Sequence, residues 1–452
     1  MTGPLSRRSL LGAGAAGSLA LTLGACGGSS SSKDAGGVVK VSVNGMPPST
    51  QPVDRKFFLQ DVRAFEKAHP KIKIDAREGY MDPKTFSAKL AGGQLEDVFY
   101  VYFSDPAQII ERRQAADISP YLKEVPHLDE VRPDLLKVFT GQDGKVYGLP
   151  NGEYSQGLLY NRALFKKAGL DPDRPPATWD EVRAAAKRIS ALGGGTVGYA
   201  DYSKNNQGGW HLTSWIYSMG GEVAARRDGR WRAAFDSAAG RKALQALHAM
   251  RFSDNSMGTR QLLEIPDAQK LMGSGKLGMY MAGPDNIPTI VKQFERAYAD
   301  FGVAPMPGGR ATLSGGNGFM VNPKASPEKI RAGVRWLQWK YLNPEREAFV
   351  SKRATQQDVP IGLPLDRLMT GEAQKTMDAA HAKYANVPQE NYAAFVSGTE
   401  KLTHKLEPPK AQEIYTVLDG VMQAVLTKRD ADPGKLLPEA AKKVDTLLAT
   451  VK

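Results

Sequence analysis

Cysteine is almost absent: the 452-residue chain holds one thiol, Cys26. A lone cysteine excludes an internal disulfide framework and any zinc cluster built on paired thiolates. Histidine is nearly as sparse, and His69, His127, His211, His248, His381 and His404 are scattered without ligand spacing. No metal and no metal cofactor is therefore expected. No acidic residue occurs before Asp34. Long apolar runs are missing too, since the stretch from Ser9 to Ala25 is short and rich in glycine and alanine, a poor membrane span.

Nucleotide chemistry is excluded by context. "GAGAAG" (Gly12 to Gly17) spells a dinucleotide-binding turn, but no strand precedes it. "GSGKL" (Gly273 to Leu277) has Lys270 where a phosphate loop needs glycine and Leu277 where it needs Ser or Thr. The formal charge of +12 is spread along solvated helical faces such as "RKFFLQDVRAFEKAHP" (Arg55 to Pro70) and "EAAKKVDTLLATVK" (Glu439 to Lys452). No clustered basic and aromatic module is present, so nucleic acid is not an expected partner.

What the N-terminus does contain is a paired-arginine head, Arg7 and Arg8, then an apolar core, then small residues before Cys26. That is the plan of an export signal. "SRRSLL" is similar to the twin-arginine export motif, with Leu10 in place of its usual phenylalanine, although Arg7 and Arg8 also satisfy a general positive head. "LGAC" resembles a bacterial lipobox. The resemblance implies residues 1–25 as a signal peptide, a diacylglycerol on Cys26, and 26–37 as a tether whose serine and glycine cannot bury a core. Removal of Arg7 and Arg8 leaves a chain that is still basic, suited to an anionic membrane surface. The expected location is the outer face of the bacterial cytoplasmic membrane.

Roughly 415 residues follow the tether, enough for two or three domains. "VVKVSVNG" (Val38 to Gly45) alternates as a strand, a helix runs from about Arg55 to Ala68, and "KIKID" (Lys71 to Asp75) is the next strand. Strand, helix and strand so closely spaced predict a parallel βαβ unit with its ligand crevice at the carboxyl ends of the strands. "EDVFYVYFSD" (Glu96 to Asp105) adds a strand, with Tyr102, Ser104 and Asp105 beyond its end. Further along, Gly169 is placed as a C-cap and Thr178 with Glu181 as a capping box.

The words "YGLP", "LLYNRALFKKAGLD" and "PPATWDEV", with "DAQKLMGSGKLGMYMAGPDN" (Asp267 to Asn286) and "DFGVAPMPGGRATLSGGNGFMV" (Asp300 to Val321), resemble extracellular solute-binding proteins of carbohydrate ABC importers. That is the broad family, family 1, that includes maltose-binding protein. It implies an α/β fold of type II, with two lobes, each a sheet flanked by helices, joined by crossing strands and closing over a ligand. Crossings near Pro150, Gly302 and Thr355 give 38–150 plus 303–354 as lobe 1 and 151–302 plus 355–452 as lobe 2. The implied partners are a small carbohydrate and importer permease subunits, the chain acting as a monomer without catalysis.

Carried over by position, the family places ligand contacts at Asn44, Tyr102, Ser104, Asp105, Glu153 and Tyr154. In lobe 2 it points to Trp210 in the glycine-flanked, amide-rich "NNQGGW", and to Asp285 and Asn286. Asp285 replaces the family's common tryptophan, which argues for a smaller, more polar ligand. Gly315 and Gly316, followed by Asn317, allow close backbone approach; Gln389 and Asn391 come from a segment similar to one that returns to the cleft rim. Trp215 and Trp336 read as packing. Sugars need side chains that accept and donate to vicinal hydroxyls, and ring faces for the C–H side of a pyranose. Other readings are a binding protein for a polyol or glycerol-phosphate-like solute, an exported glycosidase using Glu153 and Asp285 as a carboxylate pair, or a lipoprotein adhesin.

Anchoring is directly testable. Cys26→Ala should release the protein into the medium or leave an unprocessed precursor; lipid-labelled protein still held in the membrane by that variant would refute it.

Overall fold

The computed structural model describes residues 37–81, 83–364 and 367–451. Twelve strands occur among them: β1 Val39–Met46, β2 Ile72–Glu78, β3 Val98–Tyr102, β4 Gly148–Ser155, β5 Gly157–Asn161 and β6 Val197–Tyr199, then β7 Ala224–Arg227, β8 Arg230–Ala233, β9 Leu277–Ala282, β10 Phe301–Pro305, β11 Ala311–Val321 and β12 Thr403–Lys405. They form two mixed sheets and one hairpin. The first has the order β12-β11-β3-β1-β2 with β4 also on β11, the second β10-β5-β9-β6, and β7 pairs β8.

The expected βαβ unit is present: β1 and β2 are parallel from Val39 opposite Ile72, and the helix Pro52–Ala68 connects them. Pro52 opens that helix, where a missing N–H costs nothing, so the helix starts earlier than the sequence periodicity suggested. Both local punctuation marks also hold. Gly169 takes φ +67°, a conformation that favours glycine, and Thr178 Oγ1 accepts from Glu181 N at 3.2 Å while Glu181 Oε2 accepts from Thr178 N at 3.0 Å.

Packing separates the molecule into halves. Val41, Val43, Phe65, Val98, Leu149, Phe319 and Trp336 bury into the first core, whereas Leu158, Trp215, Ile216, Leu244 and Met422 bury into the second. A third cluster around Leu159, Tyr280, Phe301 and Phe395 lies on the other face of the second sheet. Trp215 stacks on Trp179 at 3.4 Å between centroids, and Trp336 meets Phe58 and Phe65 edge-on.

Core membership moves one expected crossing. β10 lies wholly in the second sheet, paired to β5, so the passage falls inside β11: Ala311 and Leu313 pack in the second core, and Phe319 to Val321 in the first. After Thr355, where the later passage was expected, Leu363 packs against the third cluster, while Leu368, Met369 and Ala373 pack in the first core, with Arg132 N donating to Leu368 O and Thr370 N to Glu130 O. Val387 is the first later residue in the clusters of the second half. Between Thr355 and Val387 the chain thus touches both halves.

One buried carboxylate ties the helices of the first half together. Asp61, on Pro52–Ala68 and 3% exposed, receives Lys340 Nζ at 2.8 Å, Arg346 at 2.9 Å and Arg353 at 2.7 Å. Burial alone would raise its pKa, but the charge of Lys340 and the hydrogen bonds of Arg353 and Lys340 prevail and hold it below the ordinary 3.8. Removing the shared anion leaves three cations without a counter-charge. Asp61→Asn should cost ~3 to 5 kcal/mol at neutral pH. Because the folded-state pKa is depressed, this stabilisation is complete above the unfolded value and disappears as pH falls through the folded one. Urea melts should therefore show a large gap between the two proteins at pH 7 that narrows below about pH 4. Coincident melts at pH 7 would show that Asp61 organises nothing.

Candidate ligand-binding cleft

A cavity of about 250 Å³ opens between the two halves. Tyr102, Gly316 and Asn317 line it on the β3–β11 side, Tyr154 comes from β4, and Asn205, Asn206, Gln207, Trp210, Glu407, Gln412 and Tyr415 complete it. A larger hollow of about 570 Å³ lies elsewhere, at Arg227, Arg230, Arg232 and Asp445 beside the β7–β8 hairpin. It has no aromatic wall and does not join the two halves, so the smaller cavity is the candidate site.

The aromatic wall follows from strand alternation and two close backbone approaches. On β4, Tyr154 and Glu153 point to opposite sides. Tyr154 lies over Gly315, its register partner on β11, where an added Cβ would sit 2.2 Å from the tyrosine hydroxyl. The freedom expected at Gly315 is thus used by the protein's own ring, and Gly316 similarly accommodates Phe103 while lining the cavity. Trp210 meets Tyr154 edge-on at 6.1 Å. Tyr102 continues a ladder through Tyr100 to Tyr80, with centroids 5.4 and 5.0 Å apart.

Trp210 sits in the first turn of the helix Gln207–Ser218, not in a loop. Asn205 and Asn206 adopt left-handed φ of 53° and 68° to enter it, and the Asp419 carboxylate accepts from Asn206 N at 2.7 Å and Gly209 N at 2.8 Å. An acidic side chain from a neighbouring helix thereby satisfies the exposed donors of this one. An added Cβ at Gly209 would lie 2.2 Å from Tyr415 O, so glycine lets the helices Gln207–Ser218 and Ala411–Thr427 touch backbone to backbone. That contact brings Tyr415 and Gln412 to the same cavity as Trp210.

Residues 49–339 match the bacterial extracellular solute-binding protein family. The chain belongs to it. It is 25% identical over 439 residues to a Brucella abortus (strain 2308) protein named as a binding protein, covering 92% of this chain and 95% of the relative. Among solved structures it resembles an ABC transporter solute-binding protein of Thermotoga lettingae bound with α-D-tagatose, at TM-score 0.70 and 20% identity over 90% of this chain and 99% of that one. It also resembles UgpB of Mycobacterium tuberculosis in complex with glycerophosphocholine, at TM-score 0.69 and 15% identity over 91% and 99%. These likenesses show the two-lobed type II fold.

The residues expected to bind in this solute-binding protein are only partly brought together. Tyr102, Tyr154, Trp210 and Gly316 line the cavity. Asp105 stands beside Tyr102, its Oδ2 accepting from Tyr102 N at 3.1 Å, with Ser104 bonded to the same carboxyl. Asp285 reaches solvent and acts electrostatically on Tyr154. Asn44 is instead spent on the fold, its Oδ1 taking Tyr100 N at 3.1 Å. Glu153 is withdrawn: its side chain is 1% exposed, ion-paired with Arg132 and 3.6 Å from His404 Nδ1. That orientation removes the facing carboxylate pair a glycosidase needs. Asn286 accepts from Gln269 at 3.0 Å, Asn391 donates to Ala299 O at 3.3 Å, and Gln389 lies by Gly362, none of them lining the cavity. Cys26 lies outside the described residues, among which no helix is long and apolar enough to cross a membrane.

Glu407, Gln412 and Tyr415 were missed by sequence reasoning. Gln412 and Tyr415 lie on the helix Ala411–Thr427 and Glu407 in the segment before it, and only the double glycine before Trp210 hinted that another backbone must come close. Tyr415 donates its hydroxyl to Glu407 Oε1 at 3.0 Å. Burial raises the Glu407 carboxyl to about 7, the Tyr415 hydrogen bond opposing and the Asp105 charge adding. Burial likewise raises Asp105 to about 6. The folded protein consequently holds protons on Glu407 and Asp105 that the unfolded chain has released, and their contribution to stability falls as pH rises through these values. Acidifying the ligand-free protein from about pH 8 to about pH 6 should add to its melting temperature through these groups. Glu407→Gln, neutral throughout, should show a smaller gain. An identical profile in the variant would place Glu407 in ordinary solvent.

Proposed function

We propose that the protein captures a small carbohydrate between its halves, closes around the crossing strands, and presents the solute to the permease subunits of an ABC importer without chemical change. It does so as a monomer held by a lipid on Cys26 at the outer face of the bacterial cytoplasmic membrane. The observation that carries this reading is a single cavity in which rings and amides from both halves converge. Tyr102, Tyr154, Trp210 and Tyr415 offer faces for the apolar side of a sugar ring, and Asn205, Asn206, Gln207, Asn317 and Gln412 offer donors and acceptors for hydroxyls. About 250 Å³ suits one ring better than a long chain. The tagatose complex of the Thermotoga lettingae relative supports the carbohydrate class. A phosphorylated polyol is less well served, because no lysine or arginine is among the residues lining the cavity.

Binding to the folded form alone stabilises by about 2.7 kcal/mol at a hundred times the dissociation constant. A panel of monosaccharides, their derivatives and polyols should thus contain a member that raises the melting temperature by several degrees. Trp210→Ala should then weaken that member by about 1 to 3 kcal/mol, roughly five- to 150-fold in dissociation constant. Since Trp210 also packs against both clusters of the second half, some loss of apo stability should accompany it. Unchanged affinity in the folded variant would take Trp210 out of the site, and a panel answered only by a peptide would overturn the carbohydrate class.

A further inference from the structure

The cleft is acidic although the chain as a whole is basic. Glu407 lines the cavity from the second half, and Asp105 at the end of β3 lies close enough that its charge acts on Glu407. Tyr102 feels both carboxylates, and Tyr154 feels Glu407 and Asp285. Among the described residues no ion pair joins Asp105, Glu407 or Asp285 to a lysine, arginine or histidine. Nearby cations are already engaged: Lys204 with Glu264 at 2.9 Å, Lys410 with Glu413 at 3.8 Å, Arg132 with Glu153 and Asp134, and Lys405 with Glu222 and Gly221 O.

Carboxylates without cations are costly in a partly desolvated cleft, and the charge of Asp105 acts on Glu407 there. A neutral solute offers hydroxyl donors but leaves that repulsion uncompensated. An anionic solute adds to it. A cation relieves it, and the rings around the cavity attract positive charge as well, since tyrosine and tryptophan faces are negative. We infer that the solute carries a positively charged nitrogen, as an amino- or quaternary-ammonium-bearing sugar or polyol does, seated against the aromatic wall within reach of Glu407 and Asp105. This rests on the proposed role in solute capture and sharpens it to a ligand class.

The test uses matched pairs that differ in charge and little else, at pH 8: 6-amino-6-deoxyglucose against glucose, 1-amino-1-deoxyglucitol against glucitol, and choline against its neutral carbon isostere 3,3-dimethylbutanol. Thermal shift screens the pairs together with a broad set of neutral sugars, and calorimetry measures the hits. The charged member of a responding pair should bind at least about tenfold tighter than its neutral partner. That preference should shrink several-fold in Asp105→Asn/Glu407→Gln, whose melting curve reports its folding independently. Equal or tighter binding of neutral members to the unmodified protein overturns the charge assignment and leaves solute capture standing. Selectivity undiminished in a folded double variant also overturns it. No response from any solute, charged or neutral, overturns capture itself.

Discussion

Strand β11 is hydrogen-bonded into the structure along its whole length while its side chains change cores part-way. Ala311 and Leu313 belong to the second core and pair with β12; Phe319 to Val321 belong to the first and pair with β3. β4 runs antiparallel beside it through the same passage, from Gly148 to Ser155. Two adjacent ladders therefore hold one wall of the cavity in register, and the chain between the cores is ordered backbone, not a slack linker. The wall residues Tyr102, Tyr154, Gly316 and Asn317 all lie on this ladder or at its edge.

The second wall depends on a helix–helix contact that only glycine permits. With Gly209 against the Tyr415 carbonyl and Asp419 on the donors of Asn206 and Gly209, the starts of two helices are fixed against each other. Their first turns carry Trp210 and Gln412, and Tyr415 follows at the start of the next turn. Asn206 donates to Gln412 at 3.2 Å and accepts from Thr416 at 2.7 Å, which binds the two turns further. The cavity is thus built from element termini, where backbone and amide groups remain available for a ligand.

Positive charge is used structurally and negative charge is left at the cleft. In the first half Asp61 gathers three cations, and at the crossing Arg132 and His404 flank the buried Glu153. Asp105 and Glu407 sit at the cavity with burial raising both of them. A protein that is basic overall thereby has a cavity lined by rings and the Glu407 carboxylate.

Sequence by itself determined the mixed α/β class, the βαβ start, the caps at Gly169 and Thr178, the core roles of Trp215 and Trp336, and the family. Each of these is written in local spacing or in contiguous words. Tyr102, Tyr154, Trp210 and Gly316, which it also singled out, line one cavity. Only the tertiary structure decided that Glu153, one residue from Tyr154, turns to the other face of β4 and pairs with Arg132, and that Asn44 serves β3. Only it brought in Glu407, Gln412 and Tyr415, which lie some 200 residues along the chain from Trp210. The reason is physical: a strand's alternation gives two faces but not which one meets the cleft, and a contact between distant helices leaves no periodic trace in either.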